Sequence, residues 1–391
     1  MTAVEVLPPA TEPSATPAAL KPLAWLDKLL ALWIFLAMAI GIILGQFSNA
    51  GAVLERVQFV DVSLPLAIAL IVMMWPILCR VSPTALFKLF RQRQLWQHLL
   101  FSVVVNWVVA PLVMLALAWA FLPDKQDLRE GLILVGIARC IAMVLVWTDI
   151  ASGDIDYCAV LVAVNSLLQI VLYAPFADLY INIIAPARSH GDISISYATV
   201  AKSVAAFLGI PLAAALVTRG FFIGIRAQTF YERRFLPTIA PLSLIALLFT
   251  IIVIFAAQGK QVVHSITDVL RVVPPLLVYF LIMFFAALLV CRRAKCSYGR
   301  TATQAFTASS NNFELAIAVA VAAYGADSPQ ALASTVGPLV EVPILLGLSY
   351  LLVWYRRRTG WDLPEGDEQG KAGSSPAESD IGSLKREVES V

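Results

Sequence analysis

Charge is scarce in this sequence. Lysine, arginine, aspartate and glutamate make up 14% of its 391 residues, against about 25% in a soluble domain. Hydrophobic types make 60% and the mean hydropathy is +0.82, so a water-soluble globule is excluded. The alternating strands of an outer-membrane barrel are missing too. The apolar runs instead have the ~20-residue length with which a helix spans hydrocarbon. Histidine occurs three times and cysteine five times, with no CxxC, HExxH or zinc-type spacing, which argues against a structural metal, a disulfide framework or any cofactor. No GxxxxGK[ST] cradle is present, so ATP is not an expected partner, and neither is nucleic acid. No basic stretch leads into an apolar core at the start. Residues 1–24 therefore read as a disordered tail rather than a signal peptide, and the polar stretch 359–391 as a second, cytoplasmic one.

What is present is a series of ten apolar runs, near 25–45, 61–79, 98–121, 130–149, 157–181, 197–217, 238–257, 273–291, 302–323 and 333–354. Lys202 weakens the sixth. With the first tail in the cytoplasm, inside segments hold 17 lysines and arginines and outside loops hold 6, so both ends are expected in the cytoplasm. The polar stretch 185–196 divides the runs five and five. An odd number per half inserts the second half upside down relative to the first, as in secondary transporters, whose sites lie where interrupted helices meet at mid-membrane. The expected fold is thus an all-α integral membrane protein. It has ten transmembrane helices in two inverted five-helix repeats, 25–184 and 197–358, with broken helices at spans four and nine.

The interruptions carry the chemistry. Span four, "EGLILVGIARCIAMVLVWTD", has Arg139 and Cys140 at its middle; span nine, "TATQAFTASSNNFELAIAVAVAA", has Ser309, Ser310, Asn311, Asn312 and Glu314. The spacing from Asn311 to Glu314 resembles a capping box, so a helix is expected to begin at mid-membrane with Asn311 as its cap. A carboxylate there costs roughly 2.5–3.5 kcal/mol on insertion scales unless it meets a wet cavity, a cation or a proton. Glu314 reads as a capping residue in a satisfied core or as a proton carrier. Arg139 must also find a partner, either Glu314 or Glu341 of "GPLVEVP", as a fixed ion pair or a substrate-linked switch. Cys140 taken alone reads as a buried small hydrophobe, but it follows an arginine and opens the second half of span four, both features that lower a thiol's pKa. Cys79, Cys158, Cys291 and Cys296 lie near span ends and read as incidental. Asn165 and Gln169 share a face of span five, as glue between helices or as ligand contacts. Met73, Met74, Trp75 and Pro76 read mainly as a kinked packing surface.

The strings "GIARCIAMVLVWTDIASGD", "LVAVNSLLQ", "FTASSNNFELAIAVAVAAYG" and "GPLVEVPILL" resemble the arsenite permeases of arsenical resistance, in the bile acid/arsenite/riboflavin transporter superfamily. The likeness spans residues 25–358. It departs at Thr148 and Asp149, where an asparagine-like residue is expected after the tryptophan. The resemblance implies a core domain of spans three to five and eight to ten, a panel domain of the rest, and crossing of the two broken helices. It also implies export of arsenite, with antimonite left open, from the cytoplasm in exchange for protons across the bacterial inner membrane. Cys140 is then the essential thiol and metalloid ligand, and Glu314 the essential carboxylate.

Bottom-up chemistry is compatible with that. Arsenous acid at neutral pH is an uncharged triol, so hydrogen-bonding partners suit it better than a cationic cage. Ser309, Asn311, Asn312, Asn165 and Gln169 can supply them. Trivalent arsenic is soft and favours sulfur, and a single thiol gives a bond weak enough to release. The rival is a sodium-coupled symporter of an organic anion, which would leave the central cysteine without a purpose. An intramembrane enzyme would need paired aspartates, a zinc motif or a serine beside a histidine, and a channel could not export uphill.

Overall fold

In a computed structural model of the chain, residues 29–48, 57–79, 93–141, 143–184 and 196–361 are described. The first tail, the second beyond residue 361 and nearly all of the 185–196 linker lie outside the described residues. Helix α1 (Leu30–Phe47) precedes a hairpin of β1 (Gln58–Phe59) and β2 (Val62–Ser63), which leads into α2 (Leu64–Cys79). Then come α3 (93–121), α4 (Gln126–Ile137), α5 (Met143–Ile150), α6 (155–184) and α7 (197–224). The chain continues through α8 (228–264), α9 (Ile266–Arg293), α10 (Tyr298–Ser309), α11 (Phe313–Tyr324) and α12 (Pro329–Thr359).

Helices overlie every apolar run, because in hydrocarbon each backbone N–H and C=O must be satisfied within its own segment. Among the described residues, six helices are long and apolar enough to cross a membrane: Trp96–Phe121, Ile155–Ile184, Tyr197–Gly224, Gln228–Ala257, Ile266–Arg293 and Pro329–Thr359. Their outer faces carry exposed Leu100, Val171 and Val217, a surface suited to lipid and not to water. This is a multi-pass membrane protein. Lys202, the charge in the sixth run, sits exposed near the start of α7.

Apart from α6, which ends in a π turn at Asp178–Ile184, three of the long helices widen to a π turn, at Val105–Val109, Ala205–Gly209 and Tyr231–Phe235. A proline follows each of these three by two residues: Pro111, Pro211 and Pro237. The proline ring collides with the carbonyl four residues back. That carbonyl belongs to Trp107, Phe207 or Arg233, each inside the wide turn, where the extra residue gives the ring its room.

Helices α1, α2, α7 and α8 pack on one another, and the remaining helices form a second group. α1 and α8 approach closely through small residues. A Cβ on Gly41 would lie 2.8 Å from the Ile252 carbonyl oxygen, and one on Gly45 would lie 2.6 Å from that of Ala256, so "GIILG" is a close-packing seam of the small-xxx-small kind. The two groups meet where α7 lies against α6 and α11.

Candidate functional site

α4 stops at Ile137 and α5 starts at Met143; α10 stops at Ser309 and α11 starts at Phe313. The two links pass each other antiparallel, Arg139 opposite Asn311. The Asn312 N–H donates to the Ala138 carbonyl at 3.1 Å. Asn311 Nδ2 donates to the carbonyls of Val135, at 2.7 Å, and Ala138, at 3.3 Å. These carbonyls sit at the end of α4, where the next helical turn is missing, so Asn311 completes a helix distant in sequence.

Asn311 is therefore not the cap of α11. That role falls to Asn312, whose Oδ1 accepts from the Leu315 N–H at 3.1 Å. The expected frame was one residue off, because the link needs Asn311 extended across the other break before the helix can begin. At the facing break, Cys140 Sγ accepts from the Val144 N–H at 3.3 Å. The sulfur sits at the amino end of α5, beside free amides that favour an electron-rich atom.

Arg139 is fully buried. Its backbone N–H donates to Gln169 Oε1 at 2.5 Å, and its Nη2 donates to the Gly136 carbonyl at 2.6 Å and the Tyr279 hydroxyl at 3.1 Å. Neither acidic candidate pairs with it: the ion pairs among the described residues are Lys125–Asp268 and Arg271–Asp124. Neutral oxygens hold the guanidinium instead. Glu341 is buried on α12 beside Ser310 and the Asn311 amide.

Glu314 takes a different direction. It lines a small cavity with Asn312 and Leu315, against Leu70 and Met74 of α2 and Phe207 and Leu208 in the π turn of α7. It thus lies on the seam between the two helix groups. Farther along that seam a cavity of about 760 Å³ opens between the hairpin and the start of α12, lined in part by Asp61, Leu66, Val321, Asp327 and Gln330.

Two expected residues are engaged elsewhere. Ser309 Oγ donates to its own helix, to the carbonyls of Ala305 and Phe306. Asn165 Oδ1 accepts from Trp107 Nε1 at 3.2 Å, in the π turn of α3. Other residues at the site went unread in the sequence. Tyr279, which anchors Arg139, could have been noticed as a lone hydroxyl in the run "LLVYFLIMFF"; Phe207 gives no signal beyond the nearby Pro211.

In and beside the crossing, buried polar atoms remain without partners: Arg139 Nε and Nη1, Gln169 Nε2, Asn165 Nδ2, Asn312 Nδ2, Asn311 Oδ1 and Glu341 Oε1. Buried polar groups are normally paired, so this concentration of unpaired ones is unusual. Most of these atoms are donors. No group of three or more histidine, cysteine or acidic residues placed to hold a metal ion occurs among the described residues.

Interrupted helices that cross around buried charge within a helical bundle are features of membrane transporters. The chain belongs to the Sodium Bile acid symporter family, matched over residues 67–265, about half of its length. Within that group it falls with the arsenical-resistance proteins. It is 42% identical over 348 residues to the arsenical-resistance protein Acr3 of Corynebacterium glutamicum, covering 88% of this chain and 92% of that protein. Against Acr3 of Alkaliphilus metalliredigens the identity is 28% over 339 residues, covering 84% and 92%. An uncharacterized transporter of Synechocystis sp. is 32% identical over 364 residues, covering 88% and 91%.

Proposed function

We propose that this chain is a secondary active transporter that exports arsenite from the cytoplasm in exchange for protons, antimonite being a second candidate cargo. Counting α4–α5 and α10–α11 each as one broken traverse gives ten spans, in two inverted sets of five, with both ends in the cytoplasm of a bacterial inner membrane. The group α1, α2, α7 and α8 is the panel, and the rest is the core.

The observation that carries this reading is the donor-rich crossing around a single sulfur. Arsenous acid presents three oxygens that accept hydrogen bonds and one soft centre that takes a thiol. The free N–H groups of Arg139, Gln169, Asn165 and Asn312 can meet the oxygens, and Cys140 can take the arsenic. A sodium ion needs the opposite, a shell of oxygens, so coupling to sodium is not favoured. The names of the relatives point the same way.

Glu314 is the proton carrier in this scheme. It sits where the core meets the panel, so relative movement of the two changes which side its cavity opens to. Substrate at Cys140 and a proton at Glu314 each favour one facing state, which couples their movements. Exchanging one proton for one neutral solute moves one charge, about 2.3 kcal/mol at 100 mV. That sustains roughly a 50-fold gradient, and each unit of pH difference adds about 1.4 kcal/mol. Everted vesicles bearing the protein should accumulate arsenite when a proton gradient is imposed. Undiminished uptake after the gradient is collapsed, or uptake that requires sodium, would overturn the proposal.

A further inference from the structure

Cys291 and Cys296 read as incidental in the sequence, and the transport scheme uses neither. The end of α9 brings them together. Lys295 adopts a left-handed conformation, φ 56°. The Cys296 N–H donates to the Cys291 carbonyl and the Lys295 N–H to that of Arg292, each at 3.0 Å. This nested pair of bonds is a Schellman turn, in which the side chain three residues inside the helix end touches the one just past the turn. Ordinarily that contact is between two hydrophobic residues. Here both are cysteines, and both thiols are free.

A third group joins them from α3. His98 Nδ1 lies 4.0 Å from Cys296 Sγ. The imidazole is held in place: its ring meets Tyr157 edge-on. Gln304 Nε2 ties the two residues together, donating to the His98 carbonyl at 3.0 Å and to the Tyr157 hydroxyl at 2.5 Å. Cys291 is buried while Cys296 is partly open, so a small solute can reach the pair from one side. Arg292, Arg293 and Lys295 flank the turn, which puts it on the cytoplasmic face in the proposed orientation.

We infer that the Cys291–Cys296 turn is a second arsenic site, a dithiol chelate for the trivalent oxyacid at the cytoplasmic end of α9. The inference rests on the reading of arsenite as cargo. Arsenous acid and two thiols give a cyclic dithioarsenite that keeps one hydroxyl, plus two waters. Two As–S bonds form and two As–O bonds break, and each departing hydroxyl leaves with a thiol proton. Arsenic stays trivalent, so no oxidant or reductant is needed. His98 takes the proton from Cys296 and passes it to the departing hydroxyl. Two sulfurs hold arsenic longer than one, so this turn captures the solute at the cytoplasmic face while Cys140, alone, releases it across the membrane.

The test uses the purified full-length protein, kept under a non-thiol reductant, with arsenite as the probe. Each cysteine is alkylated with N-ethylmaleimide and followed separately by peptide mass mapping. Arsenite should slow alkylation of Cys296, and Cys291→Ser should abolish that protection. Equal alkylation of Cys296 with and without arsenite would overturn the inference, as would protection that survives in Cys291→Ser. The first comparison needs no substitution, so a variant that fails to fold leaves the inference falsifiable. Vesicle transport by the Cys291→Ser/Cys296→Ser variant is read separately and should persist at high arsenite. Loss of arsenite uptake in every vesicle, with Cys296 protection intact, would refute the transport proposal and leave the chelate standing.

Discussion

Replacing Asn312 with alanine removes the oxygen that caps α11. At a water-exposed helix start this costs about 1 kcal/mol, because water takes over the freed amide. Here the amide belongs to Leu315, which is 3% exposed, and Asn312 itself is 2% exposed. Asn312 Oδ1 is the acceptor for that amide, and no bulk water reaches it. The cost is then the penalty for an unmet buried donor, roughly 1–3 kcal/mol. About 2 kcal/mol amounts to ~30-fold in a folding equilibrium. Serine caps about as well as asparagine, so Asn312→Ser should recover most of the loss while removing the amide group. The check is the half-life of monodisperse protein in detergent at raised temperature, for wild type, Asn312→Ala and Asn312→Ser. The expected order is wild type, serine, alanine, with alanine well separated. Equal half-lives for the serine and alanine variants would show that Oδ1 does not cap α11, and the account of the second break would fail.

Asn311→Ala should destabilise less than Asn312→Ala in the same assay. The Val135 and Ala138 carbonyls each keep a backbone partner, the N–H groups of Ala138 and Asn312 respectively, so neither is orphaned. Gly337→Ala should disturb the start of α11 from the α12 side: an added Cβ would fall 1.7 Å from Phe313 Cε1. Overpacking of this kind costs about 1–3 kcal/mol, read as a lower apparent Tm, and a smaller residue at 313 should rescue it. In everted vesicles, Cys140→Ser and Glu314→Gln should each abolish proton-driven arsenite uptake with expression retained, whereas Cys291→Ser should not; wild-type uptake by either of the first two removes that residue from the scheme. Outside the membrane, the Arg271 guanidinium holds the Asp124 carboxyl below the usual carboxylate range, chiefly through their direct hydrogen bonds. A depressed carboxylate stabilises above its unfolded pKa and loses that contribution as the pH falls through its folded value. Stability should therefore drop on acidification more steeply in wild type than in Arg271→Gln, and salt should narrow the difference.

The positions of the helices, the broken spans and the polar centre were readable from one dimension. Hydrocarbon tolerates only internally satisfied backbone, so a run such as "FTASSNNFELAIAVAVAAY" announces both its helices and its interruption. The same argument flagged Arg139, Cys140 and Glu314 as costly or out of place. The capping frame was misread by one residue, because Asn311 and Asn312 are alike as caps and only the facing break distinguishes them. Asn311 is spoken for by the carbonyls of Val135 and Ala138, more than 170 positions earlier.

Local pattern, then, settled which segments are helical and where polar groups interrupt them, since each helix satisfies its own backbone. Pairing across the molecule was left to the tertiary structure. Arg139 could have met either of two carboxylates in sequence terms, and packing gave it Tyr279 and a carbonyl. Glu314 turned toward α2 and α7 rather than toward the crossing. Cys291 and Cys296, five residues apart and read as incidental, became neighbours because Lys295 closes a left-handed turn beside His98. Such contacts depend on how separate helices lie against one another, and that is decided by the packing of whole faces.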